Sequence, residues 1–149
     1  MAQHPNEFPD DWHQPLRHVR ADQLTGETAQ TGGMTRREAI SGSTVGSEKV
    51  WMGQTHVAPQ TASANHHHGE TETAIYVVSG HPVFVFAEDG REVRLTPEPG
   101  DYVFVPPFTP HREENPGDDE AVVVIARSSQ EAVVVDLPGG LPAGGPSGG

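Results

Sequence analysis

Apolar residues in this chain recur at every second position or in short unbroken runs. None follows the three-to-four-residue spacing that a helix face needs, so the pattern predicts strands and little helix. The predicted strands cover residues 38–40, 49–57, 73–79, 82–87, 91–96, 101–105, 121–127 and 131–137. Short strands punctuated by Gly and Pro make an all-β sandwich or barrel. Glu88-Asp89-Gly90 marks the clearest hairpin, because Asp-Gly supplies the positive φ of a tight turn. Pro97, Pro99 and Gly100 punctuate the next turn, and Pro106-Pro107 ends a strand before a loop. Two runs, Val122-Val123-Val124-Ile125 and Val133-Val134-Val135, do not alternate, which predicts burial on both faces. A second sheet covers one face and a second copy of the chain is the economical cover for the other, with Trp51 and Phe84 placed either there or in the core.

Outside this region the pattern fails. Residues 1–33 read as an extended or partly disordered arm with one short candidate strand at 16–20, and the Gly/Pro-rich stretch 138–149 as a disordered tail. One domain, 34–137, remains. There is no cysteine, which removes disulfides and thiolate ligands and favours a reducing cytoplasm. No apolar run approaches a membrane span, and the N-terminus has no signal-peptide pattern. With 9 Lys+Arg against 21 Asp+Glu, the net charge of −12 repels a phosphate backbone, so a small molecule is a better partner than nucleic acid.

The chemistry concentrates in His66-His67-His68. On a strand, residues i and i+2 share a face, so His66 and His68 converge on one point while His67 turns away. Two imidazoles followed by Glu72 and, further on, His111 offer ligands for one divalent transition metal, with iron, nickel, manganese, zinc, cobalt and copper all compatible. One carboxylate among neutral imidazoles leaves a local charge of about +1, which favours an anionic oxygen such as a carboxylate or enolate.

From Gly100 the chain places Pro106, His111 and Asn115 at the offsets Gly-x5-Pro-x-Gly-x2-His-x3-Asn, with Phe108 in place of the inner glycine. His66, His68 and Glu72 match Gly-x5-His-x-His-x3or4-Glu-x6-Gly, with Gln60 in place of the leading glycine and Gly80 one residue late. In these two motifs the chain resembles the cupin family over roughly residues 36–136. The resemblance implies a double-stranded β-barrel of the jelly-roll type, a metal held by His66, His68, Glu72 and His111, and homodimers. Counting back from Gly80 lands on Thr73, a poor ligand; a bulge could absorb the extra residue, and Glu70 is the reserve carboxylate.

Weaker candidates surround this set. Tyr76 and Tyr102 could present a phenol to a substrate and Arg112 a fork to a carboxylate, although packing explains the tyrosines equally well. Glu113, Glu114 and Gln54 are candidate acceptors for the far nitrogens of the ligating rings, and His56 is either one more neighbour or structural. His4, His13, His18 and His81 read as structural. No phosphate loop or nucleophile elbow occurs. Four protein ligands would leave two open positions on an octahedral ion, and the resemblance implies a dioxygenase-type oxidoreductase acting on an enolisable or oxygen-chelating substrate. The alternatives are a redox-silent isomerase, epimerase or lyase and a non-catalytic binding or sensing module.

Overall fold

A computed structural model describes residues 14–29 and 33–142, with residues 26–29 as backbone only. Among the described residues twelve strands build two antiparallel sheets, the double-stranded barrel that the family resemblance implies. In the first sheet the order is β1 (Thr25–Ala29), β2 (Met34–Ile40), β3 (Trp51–Val57), β11 (Ala121–Arg127), β6 (Thr73–Ser79), β9 (Tyr102–Val105). In the second it is β12 (Val135–Asp136), β5 (His66–His67), β10 (His111–Asn115), β7 (Val83–Glu88), β8 (Arg91–Leu95), with β4 (Thr61–Ala62) also on β10. Among the described residues the helix content is slight: a single α-turn, α1 (Gly42–Val45), capped by Ser41 and closed by left-handed Gly46, and a 3-10 turn at Ala21–Gln23.

The core follows from the period-2 strands. On β3, β6 and β11 every second residue turns inward, so Trp51, Ile75, Val77, Val123 and Ile125 pack against Phe84 and Val105, while Val57 packs with Met34 and Ala121. Trp51 and Phe84 are therefore core residues, the second of the two placements that the sequence allows. Gly53 makes room for the indole, since a Cβ there would lie 2.7 Å from the Trp51 ring and 2.2 Å from the Arg37 carbonyl. The β7–β8 hairpin turns through Asp89 and Gly90, both at positive φ (54° and 77°), as its Asp-Gly pair predicts.

Several elements differ from the pattern. β1 pairs with β2, so the sheet extends into the stretch read as an arm, whereas 16–20 forms no strand. His111 begins a strand rather than sitting in a loop; His-Arg-Glu-Glu-Asn has no apolar residue, its inward His111 and Glu113 line a cavity between the sheets, and Asn115 is buried. Val133-Val134-Val135 is not buried on both faces: Val134 and Val135 are 47% and 42% exposed, because this segment is a short edge strap with only two residues in β12. The remainder of the predicted arm (1–13 and 30–32) and the end of the tail (143–149) lie outside the described residues.

Candidate metal centre

His66 and His111 face each other across the β5–β10 ladder, and His68 follows one residue beyond β5. Their ring centroids are 4.6–5.1 Å apart, and one ligand nitrogen from each lies within 4.8 Å of the others. Each ring is fixed from behind. Nδ1 of His66 lies 2.7 Å from the Ala64 carbonyl, Nδ1 of His111 lies 2.9 Å from that of Thr109, and Nδ1 of His68 lies 2.8 Å from that of Val133. A carbonyl only accepts, so each Nδ1 carries the proton and each Nε2 keeps a lone pair. Burial pushes His68 and His111 down to about 4, which holds both neutral. Three imidazoles that each offer one nitrogen to a common point fit a transition metal.

The carboxylate predicted from spacing is not brought to this group. Glu72 is exposed and joined through its backbone to Ser128, and Glu70 is exposed as well. Thr73 is the residue that turns into the cavity, in phase with Ile75 and Val77. The register shift that the late Gly80 suggests does exist, at Val78 between the pairs Val123–Val77 and Val122–Ser79, but it lies downstream and leaves Glu72 on the outer face. His67 turns away, its Nδ1 accepting from the Gly69 amide and its ring 5.9 Å from Phe108.

The trio forms one wall of a cavity of about 370 Å³ between the sheets. Ile75, Phe84, Val105 and Ile125 give it an apolar side, while Arg36, Thr55 and Glu113 give it a polar end. Arg36 and Thr55 are paired across β2 and β3; Glu113 follows His111 by two residues on the same face of β10. Burial drives the Glu113 carboxyl up to about 7, against the pull of Arg36. Arg36 and Arg127 both lie over Trp51, at 5.6 and 4.0 Å from its ring centre, and loss of solvent lowers both guanidiniums, Arg127 to about 10.

The other candidates lie elsewhere. Tyr76 and Tyr102 stack on each other at 4.9 Å on the outer face of the first sheet. Arg112 grips Glu92 and Glu114 on the outer side of β10, so it is not the substrate's fork. Gln54 and Glu120 hold His56, and Glu114 serves Arg112 and Arg94, so neither Gln54 nor Glu114 orients a ligating ring. That task belongs to backbone carbonyls, which no side-chain motif reveals. Arg36 and Thr55 carry no sequence signal either, beyond strand alternation next to a metal loop.

The family model described as Cupin domain matches residues 53–127. Among curated proteins no sequence matches. The fold matches the polyketide cyclase RemF from Streptomyces resistomycificus with a TM-score of 0.69 and 21% identity, over 83% of this chain and 86% of that one. A conserved protein with a double-stranded beta-helix domain from Klebsiella pneumoniae gives 0.60 and 18%, over 82% and 97%. The oxalate decarboxylase OxdC of Bacillus subtilis gives 0.63 and 25%, over 74% of this chain but 30% of that one.

Proposed function

The chain belongs to the cupin family, and from that premise we propose that it is a mononuclear metal enzyme acting on a small, enolisable, oxygen-chelating substrate held between its sheets. The observation that carries this reading is the trio His66, His68 and His111, each Nδ1 committed to a carbonyl and each Nε2 left for the ion. Bound there, a divalent ion supplies a Lewis acid that polarises a substrate oxygen. The protein does the remainder. Ile75, Phe84, Val105 and Ile125 exclude water and strengthen every charge interaction near the trio. The three carbonyls keep the imidazoles from rotating, and the Glu113 carboxyl lines the same space.

Charge favours a redox-silent reaction, an isomerisation, ring closure or elimination. Three neutral imidazoles place no anion against the ion, so its charge stays near +2 at the substrate, which strengthens Lewis acidity and disfavours giving up an electron. A dioxygenase-type oxidation is the second reading; the apolar wall beside the trio supports it, since dioxygen is itself apolar. RemF is a polyketide cyclase, and ring closure belongs to the first class.

Metal analysis of the native protein, followed by turnover of a diketone, flavonol and hydroxy-acid panel, separates the readings. Turnover that persists without air and with zinc supports the redox-silent enzyme. Turnover confined to the iron or nickel form in air supports the dioxygenase. Saturable binding without turnover marks a sensing module, and failure to take up any metal overturns the proposal. We propose further that two copies associate through the outer face of the first sheet, where Tyr76, Tyr102 and Phe104 are exposed.

A further inference from the structure

The polar end of the cavity contains two side-chain oxygens with nothing to bond. Thr55 Oγ1 and Glu113 Oε2 are both closed to solvent and both lack a hydrogen-bond partner, and both residues line the space that the histidine trio lines. Sealed polar atoms in folded proteins are nearly always paired, so two orphans in one cavity point to a ligand. They approach from opposite sheets. Thr55 sits on β3 beside Arg36 on β2, and Glu113 sits on β10, where its strand spacing puts it roughly 7 Å along from His111. Arg36 is near enough to act electrostatically on Glu113.

We propose that Thr55 and Glu113 form a subsite for a hydroxyl group, so that the substrate carries a chelating oxygen pair at one end, an apolar body, and a hydroxyl at the far end. This rests on the metal-enzyme reading above. A hydroxyl donates to Glu113 Oε2 and accepts from the Thr55 hydroxyl, using one group of each polarity. A second anionic group suits the subsite less well, since its attraction to Arg36 is offset by repulsion from the carboxyl. The apolar side chains that line the same cavity, Ile75, Phe84, Val105 and Ile125, fit a flat ring or unsaturated chain.

The test uses two hydroxypyranones that differ by one oxygen. Kojic acid has a chelating hydroxy-ketone and, across the ring, a hydroxymethyl group; allomaltol has a methyl group in that place. Calorimetric titration of each into the full-length zinc-loaded protein reads their relative affinity. The expected result is kojic acid binding about tenfold more tightly, the effect of one hydrogen bond to otherwise unpaired buried groups. In Thr55→Val, which keeps the shape of the side chain, and in Glu113→Leu, the preference falls below about twofold. Should Glu113→Leu fail to fold, Thr55→Val alone decides. Zinc uptake with equal affinity for both probes, with binding of neither, or with the preference intact in Thr55→Val overturns the subsite alone. Absence of zinc uptake overturns the metal-enzyme reading and the subsite with it.

Discussion

The carbonyl of Val133 lies 2.8 Å from Nδ1 of His68, although 65 residues separate them in the chain. His66 and His111 are oriented by carbonyls two residues before them, so their geometry is local. His68 depends on the C-terminal strap, which β12 pins to β5 through the pairs Val135–His67 and Asp136–His66, with the Leu137 amide donating to the Asn65 carbonyl. The strap lies outside the residues matched by the family model. Removing residues 132–149 is expected to weaken zinc binding roughly 10–100-fold, the usual loss when a ligand's supporting bond goes. Removing only 138–149 leaves affinity unchanged. Competition titration against a zinc chelator checks both, and an undiminished affinity in the longer deletion would show that the carbonyl does not set the ring.

Alanine at His66, His68 or His111 is expected to reduce metal occupancy steeply, with His111→Ala the most severe because that ring is the most buried of the three. His67→Ala, Glu70→Gln and Glu72→Gln retain the metal, because all three side chains point away from the trio or stay in solvent. Elemental analysis of each purified variant reads the result directly. Loss of the ion in Glu72→Gln would return the carboxylate to the ligand set.

Much of this site was legible in the sequence, and the limits have physical causes. Apolar residues, alternating or in unbroken runs, located β3, β6, β7 and β11, because most of their inward residues are apolar. They missed β10, whose inward residues His111, Glu113 and Asn115 serve the cavity and a turn; Asn115 donates to the Val57, Ala58 and Asp119 carbonyls. Spacing from the histidines selects Glu72, whereas strand phase selects Thr73, and the phase prevails because Ile75 and Val77 must face the core. Arg36 escaped notice since an arginine on a strand reads as exposed; here it is buried above Trp51.

Gln60 and Phe108 stand where the two motifs ask for glycine, and both keep the glycine backbone, with φ of 61° and 57°. A side chain in that region costs about 1 kcal/mol. Phe108 is 60% exposed and has little packing to lose, so Phe108→Gly is expected to raise stability by about 1 kcal/mol, roughly 3 °C in Tm. Gln60→Gly gains less, because the Gln60 amide donates to the Pro116 and Gly117 carbonyls, both at 3.0 Å. Thermal unfolding of the two variants side by side tests the ranking.

Arg112 bonds Glu114 at 2.7 Å and Glu92 at 3.0 Å, and it holds the Glu114 carboxyl below its ordinary value of 4.5. A depressed folded value means that the unfolded chain binds the proton first. The stabilisation is therefore present above about pH 4.5 and lost as pH falls through the folded value. Arg112→Met should lower stability by on the order of 1 kcal/mol at neutral pH and flatten this acid limb, without changing zinc affinity. Urea unfolding at a series of pH values measures the slope; a parallel offset of the whole curve would assign the loss to packing.

The outer face of the first sheet has no charge on three neighbouring strands. Ala74, Tyr76 and Val78 on β6, Tyr102 and Phe104 on β9, and Val122, Val124 and Ala126 on β11 share it, with Tyr102 77% and Phe104 58% exposed. Two copies of a chain with a net charge of −12 repel each other least where neither presents an acid, and apolar area of this kind gains most from leaving water. Light scattering at micromolar concentration is expected to give twice the chain mass. Phe104→Glu, which puts a like charge on both sides of a twofold contact, should give the single mass while far-ultraviolet circular dichroism stays that of the wild type. A monomeric wild type would remove the second copy as the cover for this face, and a dimeric Phe104→Glu would place the contact on another surface.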